Sequence, residues 1–387
     1  MQTWMKICKK CVQPDTRPGI FFNNDSICGA CLWEEEKKKI DWQKRKNELL
    51  SIAKNAKEKS TGPYDCAIGV SGGKDSTKQA VTARDQLGLR CLLVNYEPEN
   101  ITDLGRSNID NLKRLGFDVI TIHPNSKIMK KLVRYDFFTH LNPVKATEFP
   151  LYASTYIIAE KFKIPLIIQG ENPGLTVGAS LTGVGTDSDA LKAYQLQTLS
   201  KGWQEYLDVD GVTEDDLYLL HYDVQKLLDL NIRGIWIQYY LKDWSYRGNA
   251  EFSKKYGFQE RQNINPKEIG TYVPFAQIDS DLVHVNQMLK FIKFGFGQCM
   301  DHVCYDLRDG FMDRKSGIEL VLKYDGKCAQ KYINDFCSYI QISKNEFINT
   351  MEKFRGNIWY KKDNIFRNSI HDELNKELHN LSQDLAH

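Results

Sequence analysis

Between residues 64 and 170, short apolar runs alternate with longer segments of helical composition. The runs are Asp65 to Val70, Arg90 to Tyr96, Phe117 to Ile122 and Ile164 to Gln169. Between them lie helical stretches at Thr77 to Leu87, Asp103 to Leu115, from the N-cap candidate His123-Pro124-Asn125-Ser126 to about Phe138, and Leu151 to Phe162. Continuous apolar strands separated by helices predict an α/β fold with a parallel, doubly wound sheet. Gly234 to Tyr240 reads as a fifth strand, and residues 248–257 as a helix. In such a sheet ligands bind beyond the carboxyl ends of the strands. Three strand ends should therefore converge: Ser71 to Ser76, Asn95 to Asn100 and Gly170 to Asn172.

Outside this alternation the pattern changes. Residues 33–60 are rich in Lys and Glu and read as a solvated helix. The Gly- and Thr-rich segment from Leu175 to Asp187 follows a site strand and suits a mobile lid. Residues 311–387 read as short helices with a polar, frayed end. The expected division is a metal-binding segment over 1–35, a linker helix over 36–62, a nucleotide domain over 63–260 and a helical region over 261–387.

The stretch Gly69-Val70-Ser71-Gly72-Gly73-Lys74-Asp75-Ser76 joins the first strand to its helix. A helix opening on Ser-Gly-Gly presents unpaired N–H groups and the positive end of its dipole, which suits an anion such as phosphate. Gly72 and Gly73 remove the Cβ atoms that would hold a ligand off. Ser71 and Ser76 add hydroxyls and Lys74 adds charge. Asp75 follows Lys74 where a Walker A loop needs Ser or Thr, and the third glycine of a dinucleotide fingerprint is missing.

Two Cys-x2-Cys knuckles, Cys8/Cys11 and Cys28/Cys31, lie sixteen residues apart. Four thiolates complete a closed tetrahedral zinc site, structural because no position is left for water. The turn-rich segment Gln13 to Gly19 between them has no core of its own, so the metal would supply folding energy. The remaining six of the ten cysteines are scattered, which argues for thiols rather than disulfides. A net charge of +2 gives no general attraction to nucleic acid. Met1 to Cys11 has no apolar signal region and no run is long enough to span a membrane, so a cytoplasmic location is expected.

Ser71-Gly72-Gly73-Lys74-Asp75-Ser76 resembles the PP-loop of the N-type ATP pyrophosphatases, which cleave ATP between the α- and β-phosphates. The knuckles, this loop, Gly170-Glu171-Asn172-Pro173 and Phe294-Gly-Phe-Gly297, in that order, resemble the N-acetyl sugar amidotransferases over about residues 5 to 365. That family commonly carries Arg after Phe-Gly-Phe-Gly, where this chain has Gln298. The resemblance implies an enzyme that adenylates the N-acetyl oxygen of an anionic bacterial surface amino sugar. Ammonia then replaces that oxygen to give an acetamidino group, in O-antigen or flagellin-glycan synthesis. It implies ATP, Mg²⁺ and a structural Zn²⁺. Ser71, Gly72, Gly73, Asp75 and Ser76 would cradle the pyrophosphate, with Asp75 on Mg²⁺ or fixing the loop. Lys74 and Glu171 would join Asp75 in the chemistry, Asn95 and Gly170 would flank the nucleotide, and the knuckles would hold the zinc. The implied partners are a separate glutaminase and a cyclase-like subunit that channels ammonia, with no nucleic acid and no membrane. No cysteine stands in the strand–elbow–helix setting a glutaminase needs. The residues from Phe294 to Gly310, with Asp301, His302, Asp306 and Arg308, and with Lys293, Arg314 and Lys315 nearby, read either as an anion-binding wall or as capped helices. The rival function is a tRNA thiolase, which pairs similar knuckles with the same loop but usually adds a second cysteine pair and a basic surface.

Overall fold

The computed structural model describes residues 5–178, 187–191 and 202–384. Five strands, β1 (Cys66–Val70), β2 (Cys91–Tyr96), β3 (Asp118–Ile122), β4 (Leu166–Gln169) and β5 (Arg233–Trp236), form one parallel sheet in the order β3-β2-β1-β4-β5. The apolar runs are continuous because both faces are covered. Ile68, Leu93 and Ile168 sit side by side and pack with Ala80, Val81, Ile109 and Leu112. One residue earlier, Ala67, Leu92 and Ile167 face the other way, onto Ala153, Tyr156 and Ala159. The strand order reverses between β1 and β4, so a crevice opens where their carboxyl ends part.

The helices follow the pattern with instructive exceptions. Asn125 caps its helix, Ser126–His140, by accepting from the N–H groups of Lys127 and Ile128. The next helix runs from Lys145 to Phe162 and starts well before Leu151, passing through Pro150. Burial of Ala146, Phe149, Pro150 and Ala153 on that helix outweighs the bond lost at proline. The fifth strand stops at Trp236 rather than Tyr240, because Ile237–Tyr240 winds into a 3₁₀ turn whose Gln238 N–H reaches the Gly170 carbonyl. The charged stretch after residue 28 forms two helices, Gly29–Lys37 and Trp42–Lys59, and the second buries Leu49, Ile52, Ala53 and Ala56 against the sheet. Of the expected lid, residues 179–186 lie outside the described residues.

The C-terminal region contains the helices Leu282–Phe294, Gln298–Arg308, Arg314–Tyr324, Gln330–Ile340 and Lys344–Lys353. It also contains a hairpin absent from the sequence reading, β6 (Trp359–Lys362) and β7 (Ile365–Asn368), turned by Asp363 and Asn364, both at positive φ. The final helix, Ser369–Asp384, extends into the segment expected to fray. Among the described residues, no helix is long and apolar enough to cross a membrane.

One buried ionic network braces the layer beside the sheet. The Lys145 ammonium donates to Asp136 at 3.2 Å and to Glu205, while the Tyr206 hydroxyl donates to Asp136 at 2.7 Å. Burial raises the Asp136 carboxyl to about 7 against the pull of Lys145. Lys145→Met would leave two buried carboxylates facing each other and should cost ~3–5 kcal/mol of stability near neutral pH. Asp136 binds more protons folded than unfolded, so its contribution to stability falls as pH rises from the ordinary Asp value of ~3.9 toward about 7. The deficit of the variant should therefore be smaller at mildly acidic than at alkaline pH. Urea denaturation at both pH values measures it, and equal deficits would contradict this account.

Candidate active site

After β1 the chain turns at Gly72, whose φ of +75° and whose missing Cβ both matter: a Cβ there would stand 2.9 Å from the Gly105 carbonyl oxygen. Gly73 is extended and caps the helix Lys74–Val81. The Ser76 and Thr77 hydroxyls both donate to the Gly73 carbonyl at 3.0 Å, which fixes the turn and leaves the first N–H groups of the helix without intrahelical acceptors.

Lys74 is buried, and its ammonium does not project freely from the loop. It donates to Asp75 Oδ2 at 2.5 Å and lies 4.1 Å from the centre of the Tyr246 ring. Asn249 Nδ2 donates to the other Asp75 oxygen at 2.7 Å, and the Ser253 hydroxyl donates to the Lys74 carbonyl at 2.6 Å. The helix Tyr246–Lys254 thus latches the loop from behind. The sequence marks this segment only as helical, because the latching residues are isolated polar side chains in no motif.

The other two strand ends flank the loop. Asn95, next to last in β2, lies beside Val70 and is buried, and its Nδ2 has no partner. Gly170 follows β4, and a Cβ there would overlap the Gln79 amide. Asn172 is fixed by Gln238, which accepts its N–H at 2.9 Å, and by its own bonds to Gly174 and Asp187. Glu171 between them is exposed at the cleft mouth. The protein crowded around it thins its hydration and the Asp75 charge opposes it, which together raise its carboxyl to about 7 against the pull of Lys74.

Asp75 and Glu171 share one cleft of about 430 Å³. Its walls come from three parts of the chain: Trp33 and Glu34 on the helix Gly29–Lys37, Trp244 and Tyr246 beyond β5, and Tyr305 and Arg308 on the helix Gln298–Arg308. Trp33 and Glu34 belong to a stretch read from sequence as wholly solvated. On the β2 side lies a second cavity of about 990 Å³, lined by Tyr96, Asn100, Glu148 and Asp279 among others. Ser71, Gly72, Gly73, Ser76 and Asn95 line neither cavity.

Most of the charged residues between Phe294 and Lys315 serve as struts. Asp301 pairs with Arg17 and Lys290, and Asp306 takes two bonds from Arg247 at 2.6 and 2.5 Å and one from the Tyr272 hydroxyl. His302 bonds to Tyr246 at 2.9 Å and Thr271 at 2.5 Å, and burial lowers its pKa to about 3, so the imidazole is neutral. Gln298 is buried. Of the residues considered for an anion-binding wall, Arg308 alone lines the cleft.

The four knuckle cysteines are buried together, with ligand atoms all within 4.8 Å of one another. Cys8 and Cys31 sulfurs stand 3.8 Å apart, and Cys11 and Cys28 sulfurs 3.7 Å. These distances are too long for disulfides. Zinc–sulfur bonds of about 2.3 Å in a tetrahedron place sulfurs ~3.8 Å apart, so the cluster fits structural zinc. Arg314 reinforces it by donating to the Cys8 and Cys11 carbonyls.

Residues 267–372 match the family model of the WbpG-like LPS biosynthesis protein, C-terminal domain. The C-terminal region is thus similar to that domain. The matched segment includes Tyr305 and Arg308, so it supplies one wall of the cleft that holds Asp75 and Glu171. No curated protein matches the chain. Similar solved structures include a predicted tRNA methyltransferase subunit from Methanocaldococcus jannaschii, at 16% identity over 58% of this chain and 86% of that one, with a TM-score of 0.29. Another is NMN synthetase from Francisella tularensis, at 15% identity over 56% of this chain and 93% of that one, also with a TM-score of 0.29.

Proposed function

We propose that this chain is an ATP-dependent, AMP-forming amidotransferase acting on the N-acetyl group of a bacterial surface amino sugar. One observation carries the reading: the carboxylates at the ends of β1 and β4, Asp75 and Glu171, face a cleft whose opposite wall is the WbpG-like helix Gln298–Arg308. In support, a residue of the loop that resembles a PP-loop and a region similar to an LPS biosynthesis domain line the same cleft.

In this mechanism the N–H groups opening the helix Lys74–Val81, with Ser71 and Ser76, hold the pyrophosphate of ATP. The adenosine lies toward the end of β2, where Asn95 has a buried amide to offer and Tyr96 and Asn100 line the second cavity. Asp75 and Glu171 would hold Mg²⁺, which supplies charge neutralisation across the phosphates. The Lys74 and Asn249 bonds keep Asp75 from turning away, and Glu171 brings its carboxylate to the same cleft. The acetamide oxygen attacks the α-phosphorus and pyrophosphate leaves. Ammonia adds to the resulting imidate carbon, AMP leaves with the former acetamide oxygen, and the amidine takes up the remaining proton. The protein's work is alignment of two reactants around fixed charge.

The nitrogen would come as ammonia from a separate glutaminase, delivered through a cyclase-like subunit. In support, burial pushes up the thiols of Cys66, Cys299 and Cys304, and that of half-buried Cys328 to about 12, which suits packing rather than nucleophilic attack.

The test incubates the chain with ATP, Mg²⁺, ammonium and nucleotide-linked N-acetylated amino sugars, then with glutamine in place of ammonium. AMP, pyrophosphate and an acetamidino sugar are expected with ammonium only. ADP and phosphate would remove the PP-loop mechanism, efficient use of glutamine would remove the partner, and sulfur transfer to tRNA would favour the thiolase.

A further inference from the structure

Arg308 ends the helix Gln298–Arg308 and lines the cleft of Asp75 and Glu171. The other arginines at this junction are committed. Arg247 is held by Asp306, Arg17 by Asp301, and Arg314 by Glu377 and the knuckle carbonyls. Arg308 makes no ion pair among the described residues, although Glu34, Asp75, Glu171 and Asp309 line the same cleft. Its guanidinium is placed by one bond, Nη2 to the Thr176 carbonyl at 3.2 Å, and by the Tyr305 ring, whose centre lies 5.0 Å away. Both contacts orient the group without neutralising it. The lining otherwise contributes only neutral and acidic side chains, so Arg308 is the one positive charge the cleft lining offers an anionic ligand. A half-buried guanidinium with a fixed plane is the side chain best suited to take two anionic oxygens at once.

We propose that Arg308 is the specificity residue for the acceptor: it binds the acceptor's own anionic oxygens, carboxylate or phosphate, across the cleft from Asp75. This rests on the amidotransferase reading. The competing role is structural, since the Cys11 and Cys31 thiolates are near enough to act on Arg308 electrostatically.

The experiment compares wild type, Arg308→Lys and Arg308→Gln on two acceptors, a nucleotide-linked N-acetylated aminohexuronate and its hydroxymethyl counterpart, which keeps the phosphates but lacks the carboxylate. Arg308→Gln should raise the acceptor KM by about 10²-fold with a smaller change in kcat, and Arg308→Lys should recover part of it. The KM for ATP and the zinc content should not change. A penalty confined to the uronate identifies the carboxylate as the recognised group, and one shared by both acceptors identifies the phosphates. Unchanged acceptor KM with normal product formation overturns this inference alone. Zinc loss in Arg308→Gln overturns it in favour of the structural role. Absence of product from wild type with either acceptor overturns the amidotransferase reading and this inference with it.

Discussion

Asp75→Asn should lower AMP formation by about 10²–10³-fold while leaving the fold intact. The substitution preserves shape, so the amide can still accept from Asn249. It removes the only carboxylate in ion-pair contact with Lys74 among the described residues. The buried ammonium would then face the Tyr246 ring without its ion-pair partner. On the proposed mechanism this misplaces charge where the loop must be set before ATP binds. The same substitution lifts a like charge from Glu171, whose carboxyl should titrate lower than about 7. Steady-state AMP release, read beside thermal melting, checks the prediction. A variant within tenfold of wild-type activity would show that Asp75 only braces the loop. Gly72→Ala offers a contrast: its Cβ would collide with the Gly105 carbonyl at a φ of +75°, so that variant should lose stability along with activity.

The parts of this molecule legible in the sequence are those where one physical demand dominates. Strands buried on both faces must be apolar throughout, so Cys66–Val70, Cys91–Tyr96 and Leu166–Gln169 stand out within one or two residues of their ends. A turn that crosses into positive φ between strand and helix needs glycine, and Gly72 shows it. Four thiols on one ion need paired spacing, and Cys8, Cys11, Cys28 and Cys31 have it. Residues that meet only in the folded molecule were hidden. Asn249 and Ser253 hold the loop from 174 and 179 residues away. Trp33 and Glu34 sit in a run of charge that local reasoning assigns to solvent, and only the docking of the helix Gly29–Lys37 turns them toward the cleft. The hairpin Trp359–Asn368 escaped notice because its strands are short and largely exposed, which leaves little alternation to read. The charged cluster around Asp301 and Asp306 left two readings open, an anion-binding wall or capped helices, because the arginines that occupy those carboxylates come from distant segments.

Loss of the metal should damage the cleft as well as the knuckles. Cys31 lies within the helix Gly29–Lys37, immediately ahead of the two residues that helix gives to the cleft, Trp33 and Glu34. The cysteines also pack into a shared apolar cluster with Met300 and Val303, on the helix that carries Tyr305 and Arg308, and with Ile318 on the next helix, Arg314–Tyr324. The turn-rich segment Gln13 to Gly19 between the knuckles has no core of its own, so structural zinc, whose apparent binding energy is ~10–16 kcal/mol in small knuckle peptides, supplies folding energy there. Cys11→Ser or Cys28→Ser should therefore reduce zinc from about one per chain toward zero and lower the melting temperature. Product formation should fall by more than tenfold as two walls of the cleft loosen, while the sheet and its loop, built on a separate core, should keep their protection. Metal analysis, melting curves and hydrogen exchange resolved by segment measure the three effects. Rapid exchange confined to residues 5–37 and the helix Gln298–Arg308, with β1 and Lys74–Val81 still protected, is the expected pattern. A zinc-free protein with full activity would show instead that the four cysteines pack as thiols and that Trp33 and Glu34 are held by their contacts alone.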